Sequence, residues 1–230
     1  MGAELLAHDL RRDLDAWNRL LVVVSIASSA IYFFTLSLQP YPGSIVLKGL
    51  SVSTLALVVF RLLHSRDGLI LAISLLFSSI GDVLLDIPGE KMFLFGLVSF
   101  LIAHLLYIVL FARNFPRPLK SNLTQKLIIV AVPIYSIIMT AWLWPGLGEL
   151  AGPVIFYICA ITAMVISAAL AGFSSRLILV GALLFFLSDS LIAINKFKLP
   201  IKYNDYLVWS TYYAAQLSIT LGFLGEKLRR

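Results

Sequence analysis

The chain has 230 residues, of which 60% are hydrophobic and only 13% charged. A water-soluble domain carries about 25% charged residues, so this composition excludes an ordinary soluble fold and points to a polytopic membrane protein. The net charge of +6 is assigned to basic loops facing the cytoplasm rather than to a nucleic-acid surface, and nucleic acid is not expected as a partner.

In hydrocarbon every backbone N–H and C=O must be satisfied within the chain. Long continuous apolar runs, without alternation, select helices over a barrel. The fold class expected is therefore an all-α integral membrane protein forming a single transmembrane domain over 1–230. Residues 1–17 are expected to form a short cytoplasmic lead-in and not a signal peptide, because charges persist to Arg19. Eight transmembrane helices follow, approximately 18–38, 44–63, 68–86, 92–112, 127–144, 151–171, 177–195 and 205–224. Each is long enough to cross about 30 Å at about 1.5 Å per residue. Turn chemistry marks the breaks: Gln39-Pro40-Tyr41-Pro42-Gly43, Ser65-Arg66-Asp67-Gly68, Ile87-Pro88-Gly89, Phe115-Pro116-Arg117-Pro118, Pro145-Gly146 and Lys198-Leu199-Pro200.

Lysine and arginine set the orientation. With the N-terminus inside, the inner segments hold Arg11, Arg12, Arg19, Arg61, Arg66, Arg113, Arg117, Lys120, Lys126, Arg176, Lys227, Arg229 and Arg230. The outer ones hold Lys91, Lys196, Lys198 and Lys202, and Lys48 lies within a span. Both termini are thus expected in the cytoplasm, with the protein in the plasma (inner) membrane. The loop over 113–126 is longer than the others and divides the spans four and four. Two readings of the halves stay open: a parallel internal repeat, or shared apolar composition alone, with the second favoured. Asn122-Leu123-Thr124 is a sequon on the side placed inside, where it is not glycosylated. Cys159, the one cysteine, has no partner for a disulfide and reads as a small buried hydrophobe.

Chemistry is sought among the polar residues inside the spans. Asp82 in Gly81-Asp82-Val83-Leu84-Leu85-Asp86 and Asp189 in Ser188-Asp189-Ser190 each cost roughly 2.5–3.5 kcal/mol to place in a bilayer, which marks them as functional. Lys48, Asp82, Asp86, Asp189 and Asn195 all fall in the outer half of the membrane, and this coincidence argues for one shared site. Asp82 and Asp86 are four apart on one helix face. Carboxylates so close in low dielectric do not both ionise readily, which suits one of them to act as a general acid. Asp189 and Lys196 share a face, as do His104 and Tyr107. Trp209, Tyr212 or Tyr213, and Gln216 form a stripe. The structural alternatives are an Asp–Lys48 ion pair, interhelical hydrogen bonds through His104 and Gln216, an interfacial Asp86, a snorkelling Lys48 and an aromatic belt. His8, His64 and His104 show no metal-ligand spacing. Gly-rich phosphate loops and G-x-S-x-G elbows are lacking, and His104 is placed at a different depth from Ser188 and Ser190.

The polar residues stand within a set of short pieces. These are Lys48, Leu76-Phe77-Ser78-Ser79-Ile80-Gly81-Asp82-Val83-Leu84-Leu85, Phe95-Gly96-Leu97 with Phe100, and His104-Leu105-Leu106-Tyr107. Towards the C-terminus they are Gly181-Ala182-Leu183-Leu184-Phe185-Phe186-Leu187-Ser188-Asp189-Ser190, Asn195-Lys196-Phe197, and Thr211-Tyr212-Tyr213-Ala214-Ala215-Gln216. As an ordered set from span 2 to span 8 they resemble the YhhN-like family of lysoplasmalogenases. The family's usual proline after the span 2 lysine is replaced here by Gly49.

The resemblance implies a membrane-embedded ether hydrolase of lipid metabolism. It would cleave the vinyl-ether bond of a lysoplasmalogen, a lysophospholipid, to a fatty aldehyde and a glycerophospho-base. Asp82 and Asp189 are the expected catalytic pair, one donating a proton and the other stabilising the cation and orienting water, as paired carboxylates do in glycosidases. Lys48, Asp86, His104, Tyr107, Asn195, Lys196, Tyr212 and Gln216 are the expected substrate-binding residues. Metal ions and organic cofactors are not required. A proton-coupled transporter of a small amphiphile and a non-catalytic scaffold remain the alternatives, because intramembrane aspartates also serve as proton relays.

Overall fold

The computed structural model describes residues 15–41, 43–117 and 122–228. The expected lead-in lies outside these residues up to position 14, as do Pro42, Pro118, Lys120, Arg229 and Arg230. The described residues form α-helices joined by short turns and two single 3₁₀ turns, with no strand among them. We number the helices α1 Ala16–Thr35, α2 Ser44–Leu62, α3 Arg66–Asp86, α4 Glu90–Ala112, α5 Leu123–Leu147, α6 Ala151–Leu170, α7 Arg176–Phe197 and α8 Asn204–Leu228.

Local sequence explains the helix starts. Asp15 caps α1 by accepting from Asn18 N at 2.7 Å, and Ser65 caps α3 by accepting from Gly68 N at 3.1 Å. Asn122 and Gln125 form a reciprocal capping box at α5, so the sequon asparagine is spent on the helix start. Gly43 and Gly89 precede α2 and α4 with φ of 93° and 130°, a backbone region that other residues seldom enter.

Six stretches are long and apolar enough to cross a membrane: Ala16–Leu38, Ser44–Leu62, Arg66–Asp86, Glu90–Ala112, Leu123–Leu170 and Arg176–Phe197. Leu123–Leu170 contains both α5 and α6. Helix α8 is more polar, carrying Asp205, Tyr212, Tyr213 and Gln216. Large apolar side chains face outward throughout; Phe34 and Ile137 are 78% and 69% exposed. An apolar exterior is stable only when lipid surrounds it, so this is a multi-pass membrane protein. The same exterior accounts for Cys159, which is exposed rather than buried as expected. A thiol on the outer face of α6 meets lipid, and it needs no burial to leave water.

The helices close into a ring. In order around it, α1 packs on α2, α2 on α3, α3 on α4, α4 on α6, α6 on α7, α7 on α8, and α8 on α1 and α2, while α5 lies outside against α6 and α7. The first four and last four helices therefore do not form separate bundles. Packing and interhelical hydrogen bonds replace the hydrophobic effect between helices in lipid. Accordingly, small hydroxyls and one indole close the seams. Ser25 Oγ donates to Ser51 O between α1 and α2. Ser79 Oγ donates to Gly49 O at 2.8 Å between α3 and α2, and Ser99 Oγ to Phe77 O at 2.6 Å between α4 and α3. Ser188 Oγ donates to Val208 O at 3.2 Å, and Trp209 Nε1 to Ser29 O at 3.1 Å, fastening α8 to α7 and α1. At the basic end, Asp67 receives Arg113 Nε at 2.8 Å and Lys227 Nζ at 3.0 Å, tying α3 to the ends of α4 and α8.

The α7–α8 seam is tightest at Gly181, where a Cβ would lie 2.8 Å from Ala215 O and 2.7 Å from Ile219 Cγ1. Backbone cannot yield there as a side-chain tip can. Gly181→Ala is expected to destabilise the fold by roughly 1–3 kcal/mol of overpacking, seen as a lower melting temperature in detergent. Gly152→Ala, with nothing within 4 Å, should leave it unchanged or raised. Thermal unfolding of the two variants side by side checks this.

Candidate functional site

Alternation of helix direction brings the C-terminal parts of α1, α3 and α7 to the same end of the ring as the N-terminal parts of α2, α4 and α8. The polar residues that these helices carry therefore meet. They line a chamber of about 410 Å³ whose walls include Tyr32, Gln39, Lys48, Asp82, Asp86, Ser188, Asp189, Asp205, Trp209 and Tyr212.

Three of the chamber's carboxylates, Asp82, Asp86 and Asp189, each have a phenol for a partner. Asp82 is 3% exposed, and its Oδ2 accepts from Tyr212 Oη at 2.6 Å. Asp86 Oδ1 accepts from Tyr32 Oη at 2.9 Å and from Lys48 Nζ at 3.2 Å, while its Oδ2 accepts from Ser44 Oγ at 3.3 Å. Asp189 Oδ2 accepts from Tyr157 Oη at 2.6 Å, with His104 Nε2 at 3.2 Å. The lysine is thus the ion-pair partner of Asp86, not of Asp82 or Asp189. Both of its turn-end neighbours, Ser44 and Tyr32, reach that same carboxylate.

Aromatic rings form the chamber floor. Phe100 stands edge-on to Phe185 and Tyr212 at 6.0 and 5.7 Å between centroids. Gly81 makes room for that ring, because a Cβ there would fall 2.6 Å from two Phe100 ring carbons. The small residue before Asp82 thus serves the α3–α4 approach, and Ser188 before Asp189 serves the α7–α8 seam.

Beside the chamber runs a narrow apolar slot. Its walls are Leu97, Met139, Leu143, Val154, Tyr157, Ile158, Ile161, Phe186 and Ala193, from α4, α5, α6 and α7. Leu85, Phe93, Phe100, Asp189 and Ile192 line both spaces. Asp189 is the one ionisable residue at their junction.

Several expected site residues stand elsewhere. Tyr107 and Gln216 are fully buried and bonded to each other, Tyr107 Oη donating to Gln216 Oε1 at 2.7 Å, and neither lines the chamber or the slot. Asn195 Oδ1 accepts from Ile201 N at 2.9 Å and so shapes the turn after α7. Lys196 Nζ lies 4.2 Å above the Phe93 ring, behind the wall rather than in the chamber. His104 corrects the depth inferred for it. Side chains lean toward the N-terminus of their helix, and α4 and α7 run in opposite directions. His104 therefore leans toward the chamber end and Asp189 away from it, so they meet. Ser188 and Ser190 donate to Val208 O and Phe186 O instead of to this imidazole.

Sequence reasoning passed over Tyr32 and Tyr157. The available signal was a phenol deep in an apolar helix, which needs a partner for its hydroxyl. Among the described residues, no three His, Cys, Asp or Glu side chains group as a metal centre would require.

Fold and site together define a multi-pass membrane protein with carboxylates around a chamber that adjoins an apolar slot. The profile of the YhhN family matches residues 43–223, and the chain belongs to that family. It is 39% identical over 155 residues to the lysoplasmalogenases of Mycobacterium bovis and Mycobacterium tuberculosis, covering 65% of this chain and 58% of each of theirs. To the lysoplasmalogenase TMEM86B of Sus scrofa it is 32% identical over 195 residues, 84% of this chain and 81% of that protein. The chain thus spans less than two thirds of the mycobacterial relatives. No solved structure matches it significantly.

Loss of a donor to a buried carboxylate costs about 1–3 kcal/mol. Tyr212→Phe is therefore expected to lower the melting temperature markedly, since it strips Asp82 Oδ2 of its hydrogen bond. Tyr213→Phe should cost less, because Ser25 keeps Ser51 O when that phenol is gone. Parallel thermal melts compare them.

Proposed function

We propose that this protein is a lysoplasmalogenase, hydrolysing the vinyl-ether bond of a lysophospholipid dissolved in the membrane. The observation that carries the reading is the convergence of Asp82 and Asp189 on one chamber, with the apolar slot opening at Asp189. The names of the family relatives support it.

A lysoplasmalogen is polar at one end and carries one alkenyl chain, and the vinyl ether lies where the two parts join. With the phosphate and glycerol in the chamber and the chain in the slot, the scissile bond falls beside Asp189. The slot is narrow, which suits one hydrocarbon chain rather than two. Lys48, although paired with Asp86, presents its charge to the chamber and is the residue proposed to attract the phosphate. Asn195 and Lys196 do not reach the chamber, and Tyr107 and Gln216 support its floor from below.

The chemistry follows from the substrate. A carboxylic acid delivers a proton to the vinyl carbon remote from oxygen, and the adjacent carbon becomes an oxocarbenium centre. The second carboxylate stabilises that cation and takes a proton from the water that adds to it. The resulting hemiacetal loses its glycerol oxygen as an alcohol and leaves a fatty aldehyde. Asp82 and Asp189 are proposed to share these two tasks, as paired carboxylates share them in glycoside hydrolysis. The low polarity around the slot strengthens the stabilisation of the cation.

All eight helices are proposed to cross the bilayer, α8 shielding its polar residues against the ring interior. Both termini and the Asp67–Arg113–Lys227 cluster then face the cytoplasm, by the distribution of basic residues, and the chamber lies in the outer half of a plasma membrane.

Purified protein in detergent is expected to release fatty aldehyde from a lysoplasmalogen, and Asp82→Asn and Asp189→Asn each to lower kcat by roughly a hundredfold or more while remaining folded. Lys48→Met should raise KM more than it lowers kcat. Absence of aldehyde from wild-type protein, together with pH-gradient-driven uptake into proteoliposomes, would establish the carrier instead.

A further inference from the structure

We infer that His104 and Tyr157 are positioning residues for Asp189, together holding its Oδ2 so that Oδ1 is the oxygen offered to substrate. The inference rests on the proposed hydrolysis for its kinetic readout.

Three polar atoms form a closed triangle. Tyr157 Oη lies 2.6 Å from Asp189 Oδ2, His104 Nε2 lies 3.2 Å from the same oxygen, and His104 Nε2 lies 2.9 Å from Tyr157 Oη. Tyr157 donates its one proton to the carboxylate. The imidazole Nε2–H is then the second donor, shared between the carboxylate and the phenol oxygen. The other ring nitrogen fixes the tautomer. His104 Nδ1 is buried without any hydrogen-bond partner. A proton there would be an unsatisfied donor inside the bundle, whereas a bare lone pair costs less. The geometry therefore places the ring proton on Nε2. Phe185 clamps the ring in place edge-on, 4.7 Å between centroids.

His104 is fully buried and lines neither the chamber nor the slot, so it does not touch substrate. Its action passes through Asp189. Among the described residues nothing bonds Asp189 Oδ1. Since this carboxylate lines both spaces, Oδ1 is the free oxygen at the junction. Asp82 differs: it has one donor, Tyr212, and no imidazole. The two carboxylates are thus not interchangeable. Asp189 is held at a fixed angle by two groups from α4 and α6, and a carboxylate free to rotate would lose the aligned geometry on which proton transfer depends.

The test is a small variant series assayed for aldehyde release. His104→Phe and Tyr157→Phe are expected to lower kcat roughly tenfold or more with KM within about twofold. His104→Gln, which restores an N–H near the position of Nε2, should recover most of the loss. Placed on Asp189→Asn, His104→Phe should cause no further loss, because it acts through that residue. Wild-type kcat in His104→Phe, or equal losses in the two backgrounds, would overturn the inference. Infrared spectroscopy supplies a readout that needs neither turnover nor substrate. The carboxyl band removed by Asp189→Asn should shift in His104→Phe and return toward its place in His104→Gln; an unmoved band would overturn the inference. Should the wild-type protein release no aldehyde, the hydrolysis reading fails while this band still decides the positioning role.

Discussion

A carboxylate in hydrocarbon has no water to turn to, and the interior of this bundle is arranged around that constraint. Three of the aspartates lining the chamber are each given a tyrosine: Asp82 has Tyr212, Asp86 has Tyr32 and Asp189 has Tyr157, while Asp205 stands at the rim. A phenol suits this role because its ring packs as a hydrophobe while its hydroxyl donates a single short hydrogen bond. Each such bond also crosses between helices. Asp82–Tyr212 joins α3 to α8, Asp86–Tyr32 joins α3 to α1, and Asp189–Tyr157 joins α7 to α6. The bonds that make the acids tolerable are therefore also those that close the ring.

The same economy explains why the site lies toward one end of the bundle. Lys48, Asp86 and Asp189 keep side-chain exposures of 14%, 12% and 12%, whereas Asp82 and His104 below them are almost sealed. Polarity decreases from the rim at Asp205 and Gln39 to the aromatic floor at Phe100 and Phe185. A phospholipid has the same gradient along its length. Complementarity of this kind would orient the proposed substrate without a dedicated binding loop, because turning the molecule round would place its charge in the slot and its chain in the chamber.

Much of the fold was legible because helices in lipid leave a strong mark on sequence. Apolar stretches bounded by Pro40, Gly43, Pro88 and Gly89 hold helices with ends close to the expected ones. Asp82 and Asp189 were legible as a pair because two costly residues stand late in runs of the same direction and so fall toward the same end. Lys48 was legible as a neighbour of that pair, but its partner was not. Asp82 and Asp86 share a helix face, and only the placement of α1 and α2 puts the ammonium on Asp86. Asn195 and Lys196 illustrate the reverse error. Lys196 has the right spacing from Asp189 for a shared face, yet its ammonium sits over the Phe93 ring, and Asn195 shapes the turn after α7.

The sequence by itself determined that the chain is helical, lives in a membrane and carries two acids in separate apolar runs, since these follow from composition and from the cost of charge in hydrocarbon. The tertiary structure alone decided which groups those acids meet. His104 and Asp189 lie on helices that run in opposite directions, so their side chains lean toward each other, an effect invisible in a count of residues from each end. Tyr157 sits in a run without charged residues, and the packing of α6 between α4 and α7 turns it onto the carboxylate. The neighbours of a buried charge are set by helix order around the ring, and that order is long-range information which no local stretch of chain encodes.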